Sequence, residues 1–152
     1  MAPRKSAGPP APTKTLVLDN GGQTIKAGFS TSSSPSIIPN CIARDRAKHS
    51  YVGSQLSKCK DFGEITFRRP VEKGYIVNWE AQREIWDYEF FSEKSNLKCD
   101  PAETGLILTE QSNNLPHLQK ICDEMVFEDC GFASYLRVAG LSFSPNLRLS
   151  AN

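Results

Sequence analysis

Long apolar runs are missing from this chain: no stretch approaches the roughly 20 consecutive apolar residues that a membrane-spanning helix requires. An excess of charge of either sign is missing too. With 18 Lys and Arg against 17 Asp and Glu, the net charge is +1, so no one-sign field steers the whole molecule onto nucleic acid or an anionic membrane. Any nucleic-acid role would need a local patch. The five cysteines (Cys41, Cys59, Cys99, Cys122 and Cys130) are odd in number, scattered, and never form a C-x-x-C pair. That pattern argues against a disulfide framework and against a tetrahedral zinc site, and it reads as the reduced thiols of an intracellular protein. Only His49 and His117 offer imidazoles. Lone histidines far apart in sequence are more often surface or satisfied core residues than ligands or bases, and neither is assigned a role.

What is present suits one ordinary domain. The 152 residues, 39% hydrophobic and 23% charged, are enough to bury roughly 70% of the surface the unfolded chain exposes. The first fourteen residues, "MAPRKSAGPPAPTK", hold four prolines and three basic residues without an apolar core; a flexible tail over residues 1–14 is expected, not a secretory signal. Arg4 and Lys5 hint at nuclear targeting, and a solubilising terminus is the simpler reading.

Two β-favouring runs, Thr15 to Asp19 and Gln23 to Ser30, flank Asn20-Gly21-Gly22, whose tolerance of positive φ predicts a hairpin. A polar loop, Ser30 to Ser36, precedes Ile37 and Ile38, and the stretch "ARDRAKHS" reads as exposed. Short strands are expected at Tyr51 to Val52 and Ile65 to Phe67, with "RRPVEKGY" turning the chain. Asn78 is a good N-cap for "NWEAQREIWDYEFF", with Glu80 favoured in the first turn, and Trp79, Arg83, Trp86 and Phe90 fall on one stripe predicted to face the core. Gly105 to Glu110 reads as a buried strand. Pro116 suits the first turn of a helix whose Leu118, Ile121, Cys122 and Met125 recur at helical spacing, with Gly131 placed to cap its far end. Tyr135 to Ala139 reads as the last strand, and residues 141–152 end on no clear element. Strands followed by helices interleaved with strands predict an α/β architecture.

The stretch "LVLDNGGQTIKAGF", Leu16 to Phe29, carries the functional question. A tight glycine turn points successive N–H groups into a concavity that binds anions without charged side chains. Asp19, at the end of the first strand, can organise the water shell of a Mg²⁺, and Lys26 can place a cation near phosphate oxygens. The same parts make an ordinary hairpin, because Asn-Gly is a strong hairpin signal and a nearby Asp and Lys are common on any surface.

The motif has company in a fixed order: "IIPN", "YVG", "FRRPVEKGYIVNWEAQREIWDYEFF", "LILTE" and a helix ending "MVFEDCGF". Together these resemble the actin superfamily, and Phe67 to Phe91 most resembles its actin-related protein 6 class, with the likeness running from about Leu16 to Val138. The resemblance implies an actin-like, ribonuclease H-like N-terminal lobe over residues 15–140, a mixed sheet with flanking helices, incomplete relative to the full family fold. It implies ATP with Mg²⁺ held at Asp19, Asn20, Gly21, Gly22, Gln23, Thr24 and Lys26, with Asp19 reaching the metal through water.

Several features depart from that pattern. Where conventional actin has a small hydroxyl residue and a glycine after the first turn glycine, this chain has Gly22 and Gln23, losing a donor and adding bulk. Family members run well beyond this length, and the second phosphate hairpin and the adenosine pocket are not in this sequence. The position of the water-orienting glutamine of hydrolysing actins falls on Ala139, and neither Ala139 nor Arg137 can orient water as it does. Only Arg44 to Ser50 separates "IIPNCIA" from "YVG", where filament-forming actin has a longer gripping loop. The resemblance therefore implies a non-catalytic nuclear subunit of a histone-variant exchange remodeller. Its expected partners are other remodeller subunits and histones, with no membrane contact, no filament and no direct DNA binding; Arg68 and Arg69 read as a solvated turn. The rival readings are an ATP-binding actin-like ATPase or cytoskeletal protein, and a truncated product without activity of its own.

Overall fold

The computed structural model describes residues 11–60 and 62–140; residues 1–10 of the tail expected over 1–14, and the tail expected over 141–152, lie outside them, while Lys14 begins the first strand. The first strand, β1 (Lys14–Asn20), turns into β2 (Thr24–Phe29), and β3 (Ser36–Pro39) follows. A smaller sheet comes next from β4 (Ile42–Arg44), β5 (Ser50–Val52) and β6 (Thr66–Arg68), with a 3-10 helix, Gly53–Lys58, between the last two. The chain then forms a short hairpin, β7 (Val71–Glu72) and β8 (Tyr75–Ile76), before α1 (Trp79–Trp86). Strand β9 (Thr104–Glu110), helix α2 (Pro116–Glu124) and strand β10 (Ser134–Ala139) complete it.

The main sheet has the order β10-β9-β1-β2-β3. Strands β1, β9 and β10 are parallel, whereas β1, β2 and β3 meander antiparallel. This is the mixed α/β sheet that the residues and the resemblance predict. Register aligns Leu16 with Leu106 and Leu18 with Leu108, and all four are buried with Ile25, Ile85, Trp86, Phe90, Met125 and Val126 in one core. Both helices therefore lie on the same face of the sheet. Period-2 alternation leaves Val17, Ile107 and Leu136, a row across three strands, on the other face.

Several local expectations hold. The Asn78 side chain accepts a hydrogen bond from the Ala81 N–H at 3.0 Å, capping α1, and Pro116 opens α2. Gly131 takes φ +76° past the π turn, Met125–Asp129, that ends α2. Strand β6 lies one residue beyond the expected Ile65 to Phe67. Strand β4 takes in Ala43, fully buried inside the stretch read as exposed.

Other expectations need correcting. The stripe of α1 holds at Trp86 and Phe90, both fully buried, and at Trp79, which packs against the core; Arg83 departs from it, sitting at the rim and pairing with Asp129 at 2.9 Å and Asp87 at 3.5 Å. The buried face is completed by Ala81, Gln82 and Ile85, with one polar residue, Gln82, where pattern reading expects an apolar one. On α2, Cys122 and Met125 are buried as expected while Ile121 is exposed, and Val126 joins the core from the π-helical turn that follows the helix. The Asn20-Gly21-Gly22 reversal does not use left-handed backbone, for neither glycine has φ in that region. Gly21 is required for closeness: a Cβ there would stand 2.7 Å from the Thr24 carbonyl oxygen. Left-handed backbone is used at the next hairpin, where Lys73 (φ 51°) and Gly74 (φ 86°) form the primed turn joining β7 to β8.

Candidate functional site

The parallel strands β1 and β9 end at a cleft of about 560 Å³. Carboxyl ends of parallel strands are where α/β sheets bind ligands. Asp19, Asn20, Gly21 and Gly22 form one wall, Thr109 to Asn114 another, and Gly74, Tyr75, Ile76 and Trp79 a third. Of the seven residues singled out in the sequence, these first four line the cleft; Gln23, Thr24 and Lys26 do not.

Asp19 is half exposed. Its Oδ1 accepts a hydrogen bond from the Thr109 hydroxyl at 2.7 Å, and its Oδ2 lies 3.8 Å from the Lys26 ammonium. Register explains the trio, since Asp19 is opposite Lys26 on β2 and Thr109 on β9. A carboxylate so held, flanked by a lysine, suits a hydrated divalent cation beside phosphate oxygens. Among the described residues no group of three His, Cys, Asp or Glu is placed to ligate a metal directly. The Gly21 N–H points inward, to the carbonyls of Asp19 at 3.2 Å and Thr24 at 3.1 Å.

Asn20 also faces inward. Its amide donates to Gln82 Oε1 at 2.8 Å, and its Oδ1 accepts from the Trp86 indole N–H at 3.2 Å. Gln82 in turn donates to Asn40 Oδ1 at 3.1 Å, and Asn40 donates to the Gly21 carbonyl at 2.8 Å. Asn40 and Gln82 are fully buried. This network fastens the turn of the hairpin to α1 and to the segment after β3, so its backbone is held rigid from behind.

Across the cleft, Glu110 accepts from Asn114 at 3.0 Å and Gln119 at 2.8 Å. Arg137 lies 3.7 Å from Glu110 and bonds Asp123 on α2. Its guanidinium also lies 5.6 Å from the Tyr135 ring centre. Burial pushes the Tyr135 and Cys122 protons up, so both groups stay neutral, and the two touch at 3.4 Å. The Arg137 guanidinium is thus committed to α2. The β7–β8 turn is tied to the rim by Gln111, which donates to the Lys73 carbonyl at 3.2 Å; Gly74 leaves the room, since a Cβ there would overlap the Gln111 amide.

Sequence reasoning missed Thr109, Gln82, Asn40 and Gln111. Thr109 stood within the quoted "LILTE", but its partnership with Asp19 depends on strand pairing across 90 residues.

The fold, with hairpin and cleft at the carboxyl ends of its parallel strands, is that of an actin-like lobe. The actin family matches residues 11–144, and the chain belongs to that family. It is similar to Actin-related protein 6 of Neurospora crassa, 63% identical over 144 residues, covering 92% of this chain and 32% of that protein. Actin-like protein arp6 of Aspergillus fumigatus is 49% identical over 146 residues, covering 85% of this chain and 31% of that protein. Actin-related protein 6 of Dictyostelium discoideum is 41% identical over 123 residues, covering 80% and 25%. The likeness read from the residues to the actin-related protein 6 class therefore holds, and the chain spans about a third of the length of the curated relatives it matches.

Proposed function

We propose that this actin-related chain is a non-catalytic structural part of a nuclear histone-variant exchange remodeller, acting through protein contacts. Its kinship with actin-related protein 6 carries the reading of place. Its non-catalytic nature rests on one observation at the cleft. Strand β10 ends on Ala139, followed by Gly140, neither with a polar side chain, and its Arg137 is held by Asp123 and Glu110. No β10 side chain is available to orient an attacking water.

The cleft suits the phosphate end of Mg-ATP as a structural ligand. Asp19 would hold the hydrated cation, and Lys26, outside the cleft lining but 3.8 Å from Asp19, would add positive charge at its edge; the bound magnesium would supply charge neutralisation. Thr109 fixes the Asp19 carboxylate, and the Asn20–Gln82–Asn40 network holds the turn. A ligand that binds only the folded state raises its melting temperature. Millimolar Mg-ATP is expected to do so here without phosphate release, and Asp19→Ala to abolish the shift. Steady phosphate release that Asp19→Ala abolishes would favour the ATPase reading instead.

The assembly reading is tested by affinity purification of the tagged chain from nuclear extract. Remodeller subunits at fixed stoichiometry are the expected result. Recovery of chaperones alone would sink it and favour a chain without activity of its own.

A further inference from the structure

Among the described residues, the five-stranded sheet ends in two unlike edges, β3 and β10. An edge strand exposes unpaired N–H and C=O groups, and proteins ordinarily blunt it with proline, charge or shortness. Strand β3 is blunted: it is four residues long, ends on Pro39 and is preceded by Pro35. Strand β10 is six residues long and contains no proline. Its one charge, Arg137, is drawn onto Asp123 of α2 and toward Glu110, so it does not guard the edge. Apolar groups flank that edge on both sides of the sheet. Leu136 is largely exposed on the open face, where alternation also places Val138. Phe127, half exposed, stands on the helix side, edge-on to the Tyr135 ring at 5.9 Å.

We propose that two copies of this chain join edge to edge through β10, giving one ten-stranded sheet. A twofold axis perpendicular to the sheet pairs the two strands antiparallel, so that each supplies the donors and acceptors the other leaves open, and it keeps the helices of both copies on one side. Leu136 then packs on the second copy's β10 from the open face, and Phe127 and Tyr135 from the helix side. Charge does not oppose the pairing. The chain's net charge is +1, and ionic groups beside β10 are matched within each copy, Arg137 with Asp123 and Lys120 with Glu124. An open strand edge accepts an extended backbone, and a second copy carries one of matching length, with the same apolar groups on the same two sides. Because the contact is self-complementary it closes at two copies, yielding a dimer and no filament. This inference stands whether or not nucleotide occupies the cleft.

The test is sedimentation of the 152-residue chain over a concentration series, with amide exchange followed at the lowest and highest concentrations and cooperative melting checked for every variant. The parent is expected to pass from monomer to dimer. Amides of β10 should exchange more slowly in the dimer, while those of β3 are unchanged. Leu136→Lys, a charge of the kind that guards natural edges, should weaken dimerisation about tenfold or more, and Phe127→Ser should weaken it several-fold. Ile107→Thr, one strand in on the open face, should leave it unchanged. A chain that stays monomeric throughout overturns the proposal. So does weakening by Ile107→Thr with none by Phe127→Ser, which marks face-to-face stacking of two sheets. Protection of β10 that is the same at every concentration also overturns it, since the edge would then be paired within its own chain.

Discussion

The two faces of the five-stranded sheet are made by the same strands and have different fates. One face sets Leu16, Leu18, Leu106 and Leu108 under α1 and α2, each no more than 3% exposed. The other carries Val17, Ile107 and Leu136 in one row, and Leu136 is 57% exposed. A sheet strand of ordinary amphipathic type alternates apolar with polar, but these strands put apolar residues on both sides. Strands of this composition are those of a sheet covered on both faces, and among the described residues only one is covered. Stability should therefore be concentrated on the helix side, and the opposite side should contribute association.

The largest expected effect comes from cutting the covered side. Trp86 is fully buried against Phe90, with ring centres 6.3 Å apart, and donates to Asn20. Trp86→Ala is expected to cost about 3–5 kcal/mol, the range for large-to-small core changes, read as a lowered urea midpoint. A loss under about 1 kcal/mol would mean that the helices do not carry the core.

Next in size is the polar centre of that side. Gln82→Ala strips partners from Asn20 and Asn40 at once, leaving buried amides unsatisfied, at about 1–3 kcal/mol. Because Asn40 and Asn20 hold the turn, the variant should also speed amide exchange at Gly21 and Gly22. Stability loss without that local loosening would separate the network from the hairpin.

Gln82 also shows where the sequence is legible and where it is not. The hairpin, the order of strands and helices, the Asn78 cap and the family resemblance are all written in local signals of turn chemistry, alternation and motif order. The buried face of α1 is not, because its centre is glutamine. Its burial is decided by Asn20 and Asn40, 62 and 42 residues away. The same holds for Glu89, buried because it accepts from the Ser54 N–H at 2.7 Å, where Gly53 alone leaves space for it. In the cleft, Asp19 is legible by motif, and its Thr109 partner is supplied by parallel pairing that no local pattern encodes.

A smaller effect distinguishes the covered side by pH. Burial, reinforced by Asp87, pushes the Cys130 thiol up to about 12 from an ordinary 9.0. Its folded-state value is raised, so the stabilisation it reflects is intact below pH 9 and is lost as pH climbs from 9 toward 12. Urea midpoints should fall across that window, and Cys130→Ala should flatten the fall. An unchanged slope would place the alkaline sensitivity in other groups.

The smallest effect on stability is expected on the uncovered side. Leu136→Ser removes an exposed side chain that contributes little to the core, so the urea midpoint should move by no more than about 0.5 kcal/mol. What should change is behaviour with concentration, since the exposed Leu136 ends an apolar row on β10, β9 and β1 whose other members, Ile107 and Val17, are half-buried, and exposed apolar surface drives association. Sedimentation over a concentration series should show weaker self-association for the variant than for the parent. If Leu136→Ser instead lowers the midpoint as Trp86→Ala does, that face is already covered, and the contrast between the two sides of the sheet fails.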